Sequence, residues 1–424
     1  MSKDLTKNNY IIKPFIISAI IFILVGSFIG SIWFAFILNV NIPVINGSIF
    51  NLHRIFQVES GITLLIMGIG FMIVPRFRNI SIGSHTVIKI SFLAIIISTF
   101  LVIISTIHIY QPIINERILF ISEIIRIFGI LLFVGKIIDT IKIKPKLLRT
   151  ADYFVGFSAI CLLIISILNL VKLDDSTLMG LENQLLFPII MIFGIEYKTL
   201  PSFLGFIRPR EKLGILSLLF LITAFILGVI TKFFINDDIV LPILFNLFVI
   251  LSSIMFSLSI YLYNNYENKK YILQSTKDKK ERYLYTLHHT KISFYFLYVG
   301  IVLGLLFYIF DKKFMFYDLS IHFIAIGFIG ITISSYLPMM LAPILGKPII
   351  IGKINKIPLI LIIISLLIRT MGMVYISYFN NNGASFLHEL TSISGFLILL
   401  AIIIFITLMY KSIDNNKLNS KKLI

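Results

Sequence analysis

One cysteine stands among 424 residues, Cys161, inside an apolar run. That scarcity removes disulfide frameworks, cysteine zinc sites, iron–sulfur clusters and covalent CxxCH haem attachment together. Charge is scarce as well, at 13% of residues, against roughly 25% in soluble globular proteins. No glycine-rich phosphate loop opens a helix, no HExxH occurs, and no Ser, His and Asp set sits on a soluble domain, which excludes the familiar soluble enzyme classes. Acidic residues number 20 against 37 Lys and Arg, a net charge of +17. Placement decides what that excess means.

What the chain has is apolar length. Hydrophobic residues make up 58%, 39 of the residues are Phe, and the mean hydropathy is +0.99. A helix crossing a hydrocarbon core of about 30 Å needs about 20 mostly apolar residues. Twelve such segments are predicted, near 14–39, 52–75, 86–110, 117–141, 152–172, 183–204, 213–234, 239–264, 290–311, 318–343, 357–379 and 387–410. Backbone groups in lipid find no water, so each span must be a helix. The expected fold is an all-α polytopic membrane protein, a single domain over 1–424, with one basic loop at 265–289 as its only sizeable linker. The first span lacks a small-residue cleavage site and is read as retained.

Loop charges orient the chain. Of the 37 Lys and Arg, counting those near a span end with the adjoining loop, 28 fall on the side of both termini and 6 on the other side, leaving Arg126, Lys136 and Arg369 as span residues. The termini are therefore expected in the cytoplasm, with the chain in the cell membrane. The basic excess is accounted for by orientation in a lipid bilayer, and no nucleic-acid partner is expected. The aromatic residues are mostly Phe inside spans, which reads as packing.

Seven histidines separate by side. His53, His108, His322 and His388 fall at the outer ends of spans 2, 3, 10 and 12; His85, His288 and His289 lie at cytoplasmic ends. Imidazole is a common ligand for haem iron and copper, whereas a histidine at a span end often just sits in the wet headgroup layer. Two have further context. Gly61 follows His53 by eight positions and Gly330 follows His322 by eight, each about 80° round an ideal helix. Each glycine either allows close helix contact or leaves room for a flat macrocycle. Pro75, Pro201 and Pro343 close spans 2, 6 and 10, a spacing that suggests three repeats of four helices.

The segments IKPFIISAIIF, HRIFQ leading to VPRFRN, and IHFIAIGFIG leading to LGKP resemble the NnrS family of twelve-span, haem- and copper-associated membrane proteins. The 2, 6, 10 pattern is also similar to subunit I of haem–copper oxidases, where those helices surround the metal centres. The resemblance implies a non-covalent b-type haem, with copper as a further candidate, a role in nitric oxide or nitrosative-stress handling or electron transfer, and an electron donor as partner. It places ligands at His53 and His322, and His289 matches the family's histidine before span 9. The chain departs from the family in having His53 alone where a pair is usual and no histidine in LGKPII. Spans 6 and 7 lack the histidines that hold copper in an oxidase, so haem is favoured over copper.

Ionisable groups in lipid usually face the protein interior. Gln57, four residues after His53, is expected to hydrogen-bond near the ligand. Asp318 caps its helix or orients His322. Glu123 and Arg126 are spaced to pair, and Glu59 lies on a proton path or pairs with a neighbouring helix. Arg369 needs a partner, for which a haem propionate, Glu196 or a helix end could serve. His108 and His388 form the weaker half of the outer metal set. A secondary transporter, or a non-catalytic assembly or sensor subunit, stands as the alternative reading, and oligomeric state is left open.

Overall fold

The structure, a computed structural model, describes residues 9–38, 48–81, 83–106, 112–143, 149–171, 179–234, 239–264, 276–310, 313–345, 347, 349–379 and 385–413. Twelve helices among them are long and apolar enough to cross a membrane. They are α1 (Lys13–Ile37), α2 (Ser48–Arg54, Ile55–Ile62 and Thr63–Phe77 in series), α3 (His85–Thr106), α4 (Pro112–Lys142), α5 (Thr150–Val171) and α6 (Met179–Leu204). The second half comprises α7 (Glu211–Phe234), α8 (Val240–Ser259), α9 (Lys277–Ile309), α10 (Phe314–His322, Phe323–Gly330 and Ile331–Leu345 in series), α11 (Ile357–Phe379) and α12 (Ser385–Lys411). The chain is a multi-pass membrane protein.

Several spans start four or more residues earlier than expected, and both boundaries of the expected 265–289 loop move. Helix α8 ends at Ser259, short of 264, because Tyr261 takes a left-handed φ of +52° and the Leu262 amide closes back on the Ser257 carbonyl, the usual geometry of a helix stop. Helix α9 starts at Lys277, so the latter part of the expected 265–289 loop is helical; residues 265–275 lie outside the described ones.

The outer helices are apolar on every face, so polarity sorts in reverse. In α3 the buried face carries Ser91, Ala94, Ser98, Thr99 and Ser105 beside Ile88, Ile95 and Val102, while Leu93, Ile97 and Phe100 are exposed. Between helices in lipid there is no hydrophobic driving force, so small residues that allow close approach and hydroxyls that bond across take the interfaces. Ser91 donates to the Gly129 carbonyl (α3 to α4), Ser252 to the Ser217 carbonyl (α8 to α7), and Ser365 to the Ser394 carbonyl (α11 to α12), at 2.7–2.8 Å.

Those three pairs occupy equivalent places in three units of four helices. The most apolar stretches of α2, α6 and α10 are 94%, 83% and 67% buried, against 39–44% in each of the other nine helices, so every fourth helix is an inner one. Helix α4 packs on α5, α8 on α9, and α12 returns to pack on α1, which closes the ring. Phe193 of α6, Phe256 of α8 and Phe294 of α9 stack in parallel where the second and third units meet.

Arg126 of α4 binds Glu123 on its own helix and Glu59 of α2, and Arg54 lies 3.3 Å from Glu59. The expected Glu123–Arg126 pair thus extends into a charge-balanced network between α2 and α4.

Candidate cofactor site

The ring closure brings α1, α2, α10, α11 and α12 around one cavity of about 230 Å³. Its walls are apolar over most of their area, with Ile23 of α1, Ile62 of α2, Ile326 of α10, Ile362 of α11 and Phe405 of α12 among them. His53 and His322 both line it, and their ring centroids are 6.5 Å apart with planes 11° from parallel.

Each imidazole is anchored. His53 Nδ1 bonds the Gly26 carbonyl at 2.8 Å, and His322 Nδ1 bonds the Asp318 carbonyl at 2.6 Å. A carbonyl only accepts, so Nδ1 carries the proton in both rings and the lone pair is on Nε2. Among the described residues no hydrogen bond occupies either Nε2. A backbone carbonyl on Nδ1 is also what fixes the tautomer and orientation of metal-binding histidines.

Helix α1 makes the room. Gly26 and Gly30 form a GxxxG pair on the face toward α2. A Cβ on Gly26 would lie 2.9 Å from the Phe56 Cβ, and one on Gly30 would run into the His53 ring itself. Between them, Ser27 Oγ accepts a bond from Gln57 Nε2 at 2.8 Å, and Gln57 also bonds the Ile23 carbonyl at 3.0 Å. Gln57 therefore lines the cavity near His53 and ties α2 to α1.

Both histidines stand at the start of a π-helical segment, Ile55–Ile62 in α2 and Phe323–Gly330 in α10. Such i→i+5 segments are rare and concentrate at functional sites. They also alter the angular placement derived from an ideal α-helix. Gly330 lines the cavity, with room for a Cβ in ordinary contact with the Ala325 carbonyl at 3.5 Å, but Gly61 does not line it. A Cβ on Gly61 would come within 2.7 Å of both the Phe56 carbonyl, five residues back, and Ile23 of α1. Gly61 serves close packing, the first of the two roles its position allowed, and does not line the cavity.

Arg369 lines the cavity, but Glu196 is not its partner. Its Nε and one Nη bond the two carboxylate oxygens of Asp318 at 2.7 Å each, and its guanidinium carbon stands 3.7 Å over the Phe34 ring. Asp318 is thus a counter-ion and not the expected cap, since its helix starts at Phe314 with Lys313 as N-cap, and its Oδ1 lies 3.3 Å from His322 Nδ1. Glu196 is buried on α6 beside Tyr336 of α10. His388 is half-buried near the start of α12 and does not line the cavity, so it stands apart from the histidine pair. His108 lies outside the described residues. His289 is buried on α9 with Nδ1 on the Tyr285 carbonyl at 2.8 Å, also away from the cavity.

Arg54, Phe34 and the glycines of α1 complete the site beyond the residues expected for it. Only the glycines carried a sequence signal, in the GSFIG run of α1. No protein-family model matches the chain, and no curated protein matches it.

Proposed function

We propose that this membrane protein holds a non-covalent b-type haem between His53 and His322. The observation that carries the reading is the pair of near-parallel imidazoles, 6.5 Å apart in one cavity, each with Nδ1 committed to a carbonyl. With metal–nitrogen bonds of about 2.0–2.1 Å, two rings flanking one metal have centroids roughly 6 Å apart. A bare ion is less well served, because protein zinc sites use at least three side-chain ligands. Among the described residues, no group of three or more His, Cys, Asp or Glu could hold an ion. A porphyrin brings four nitrogens of its own and asks the protein for axial ligands alone. Copper thus ranks behind haem.

Bound haem would supply one-electron redox or diatomic-gas chemistry. The chain's own residues would supply the two Nε2 ligands, the apolar walls that exclude water, and Arg54 beside the propionates. Arg54 is the more accessible arginine, with a side chain 27% exposed and Glu59 at 3.3 Å, whereas Arg369 is 5% exposed and held by Asp318 through two bonds of 2.7 Å. The resemblance to the NnrS family extends the reading to nitric oxide handling or electron transfer, with an electron donor as partner. Loop charge supports termini in the cytoplasm of a cell-membrane protein, which would put the haem near the opposite face. The transporter reading draws no support from α6, which runs unbroken through Pro188 and Gly194, whereas transport sites favour interrupted helices.

The test is an absorption spectrum of protein purified with haem available, with metal analysis alongside. A Soret band that is lost in the His53→Ala, His322→Ala double variant is expected. No band, or one unchanged by the double substitution, refutes the proposal.

A further inference from the structure

A second cavity, of about 260 Å³, lies at the opposite ends of the helices, where the first and second units meet. Phe77, Arg78 and Asn79 at the end of α2, Arg149, Ala151 and Asp152 at the start of α5, and Lys198 near the end of α6 line it. Three cations therefore face one acid. That acid is already engaged: Asp152 takes Arg78 Nη2 at 2.9 Å and the Arg149 amide at 2.9 Å. Lys198 stands within electrostatic reach of Arg149, Arg78 and Asp152.

Like charges held around one recess repel, and the α5 N-terminus adds the positive end of its macrodipole from the same direction. Arg78, buried at 5% exposure, cannot turn away to relieve the repulsion. A dianionic or monoanionic oxygen-rich group in the recess would offset it, with Arg149 and Lys198 supplying charge-assisted hydrogen bonds. The phenyl ring of Phe77 makes one wall apolar. Basic pockets between membrane helices are suited to lipid phosphates in this way.

We propose that this recess binds a phosphate group, carried either by an anionic phospholipid or by a soluble phosphate. The site is independent of the haem. Delipidated protein is titrated with phosphatidylglycerol, phosphatidylcholine or inorganic phosphate while the thermal unfolding midpoint is followed. Phosphatidylglycerol is expected to raise the midpoint by a few degrees, phosphatidylcholine to leave it in place. In an Arg149→Gln, Lys198→Gln variant the apparent affinity falls by on the order of thirtyfold, at about 1 kcal/mol for each cation. Arg149 is exposed and Lys198 half-buried, and glutamine keeps most of the length of either side chain, so the variant keeps its fold. A Lys279→Gln, Lys280→Gln variant with the same change of net charge keeps the full response. Stabilisation by inorganic phosphate alone identifies the soluble source, and stabilisation by phosphatidylglycerol alone the lipid; both support the site. A response equal for the two lipids, a response unchanged in the double variant, or no response to either anion overturns it.

Discussion

Asp318 holds Arg369 through two bonds of 2.7 Å while its own backbone carbonyl takes the Nδ1 proton of His322. One residue of α10 thus fixes both the cation of α11 and the imidazole, by two different groups. The side chain answers for the charge and the backbone for the ring. Substitution can separate them.

Asp318→Asn leaves Arg369 buried without its counter-charge, and breaking a buried pair from one side costs about 3–5 kcal/mol. The His322 bond is to a carbonyl and survives the change. The expected result is a large fall in thermal stability with a haem spectrum that stays recognisable at low temperature. Adding Arg369→Leu should recover much of the loss, since no uncompensated charge then remains. A double variant as unstable as Asp318→Asn alone would show that the ion pair is not the cause.

The two glycines flanking the imidazoles should respond in opposite ways. At Gly30 a methyl group runs into the His53 ring, whereas at Gly330 its nearest neighbour is the Ala325 carbonyl at 3.5 Å. Gly30→Ala should weaken or abolish the Soret band. Gly330→Ala should fold normally and gain about 0.5–1 kcal/mol from reduced backbone freedom. Spectra and melting curves of the two variants decide this, and equal behaviour would argue that His53 does not depend on the α1 glycines for its position.

Much of this arrangement was legible before the structure. Span number follows from bilayer thickness, and the inner trio had a signal too: α2, α6 and α10 are the least apolar of the twelve spans. Helices shielded from lipid can carry Gln57, Glu59, Glu196 and Asp318. Histidine depth was readable by counting from span ends, which is why His53 and His322 could be paired across 269 positions. Side-chain direction was not. The π-helical segments break the 100° step on which the placement of Gly61 rested. The Asp318–Arg369 pair links residues 51 apart on different helices, and no periodicity within one helix reveals a partner on another.

Orientation rests on loop charge, and it decides which face the histidine pair approaches. Lys313 follows α9 on the charge-poor side, and Lys353 lies between α10 and α11 on the charge-rich side; both are exposed. Cys161 is fully buried and gives little background labelling. In intact cells a membrane-impermeant maleimide should therefore modify a Lys313→Cys variant and spare Lys353→Cys until the membrane is opened. Moving Lys and Arg across a bilayer is disfavoured during insertion, so the pattern should be close to all-or-none. The reverse labelling would place the histidine cavity near the cytoplasmic face and the basic recess outside, where the cytoplasmic leaflet's anionic lipids could not reach it.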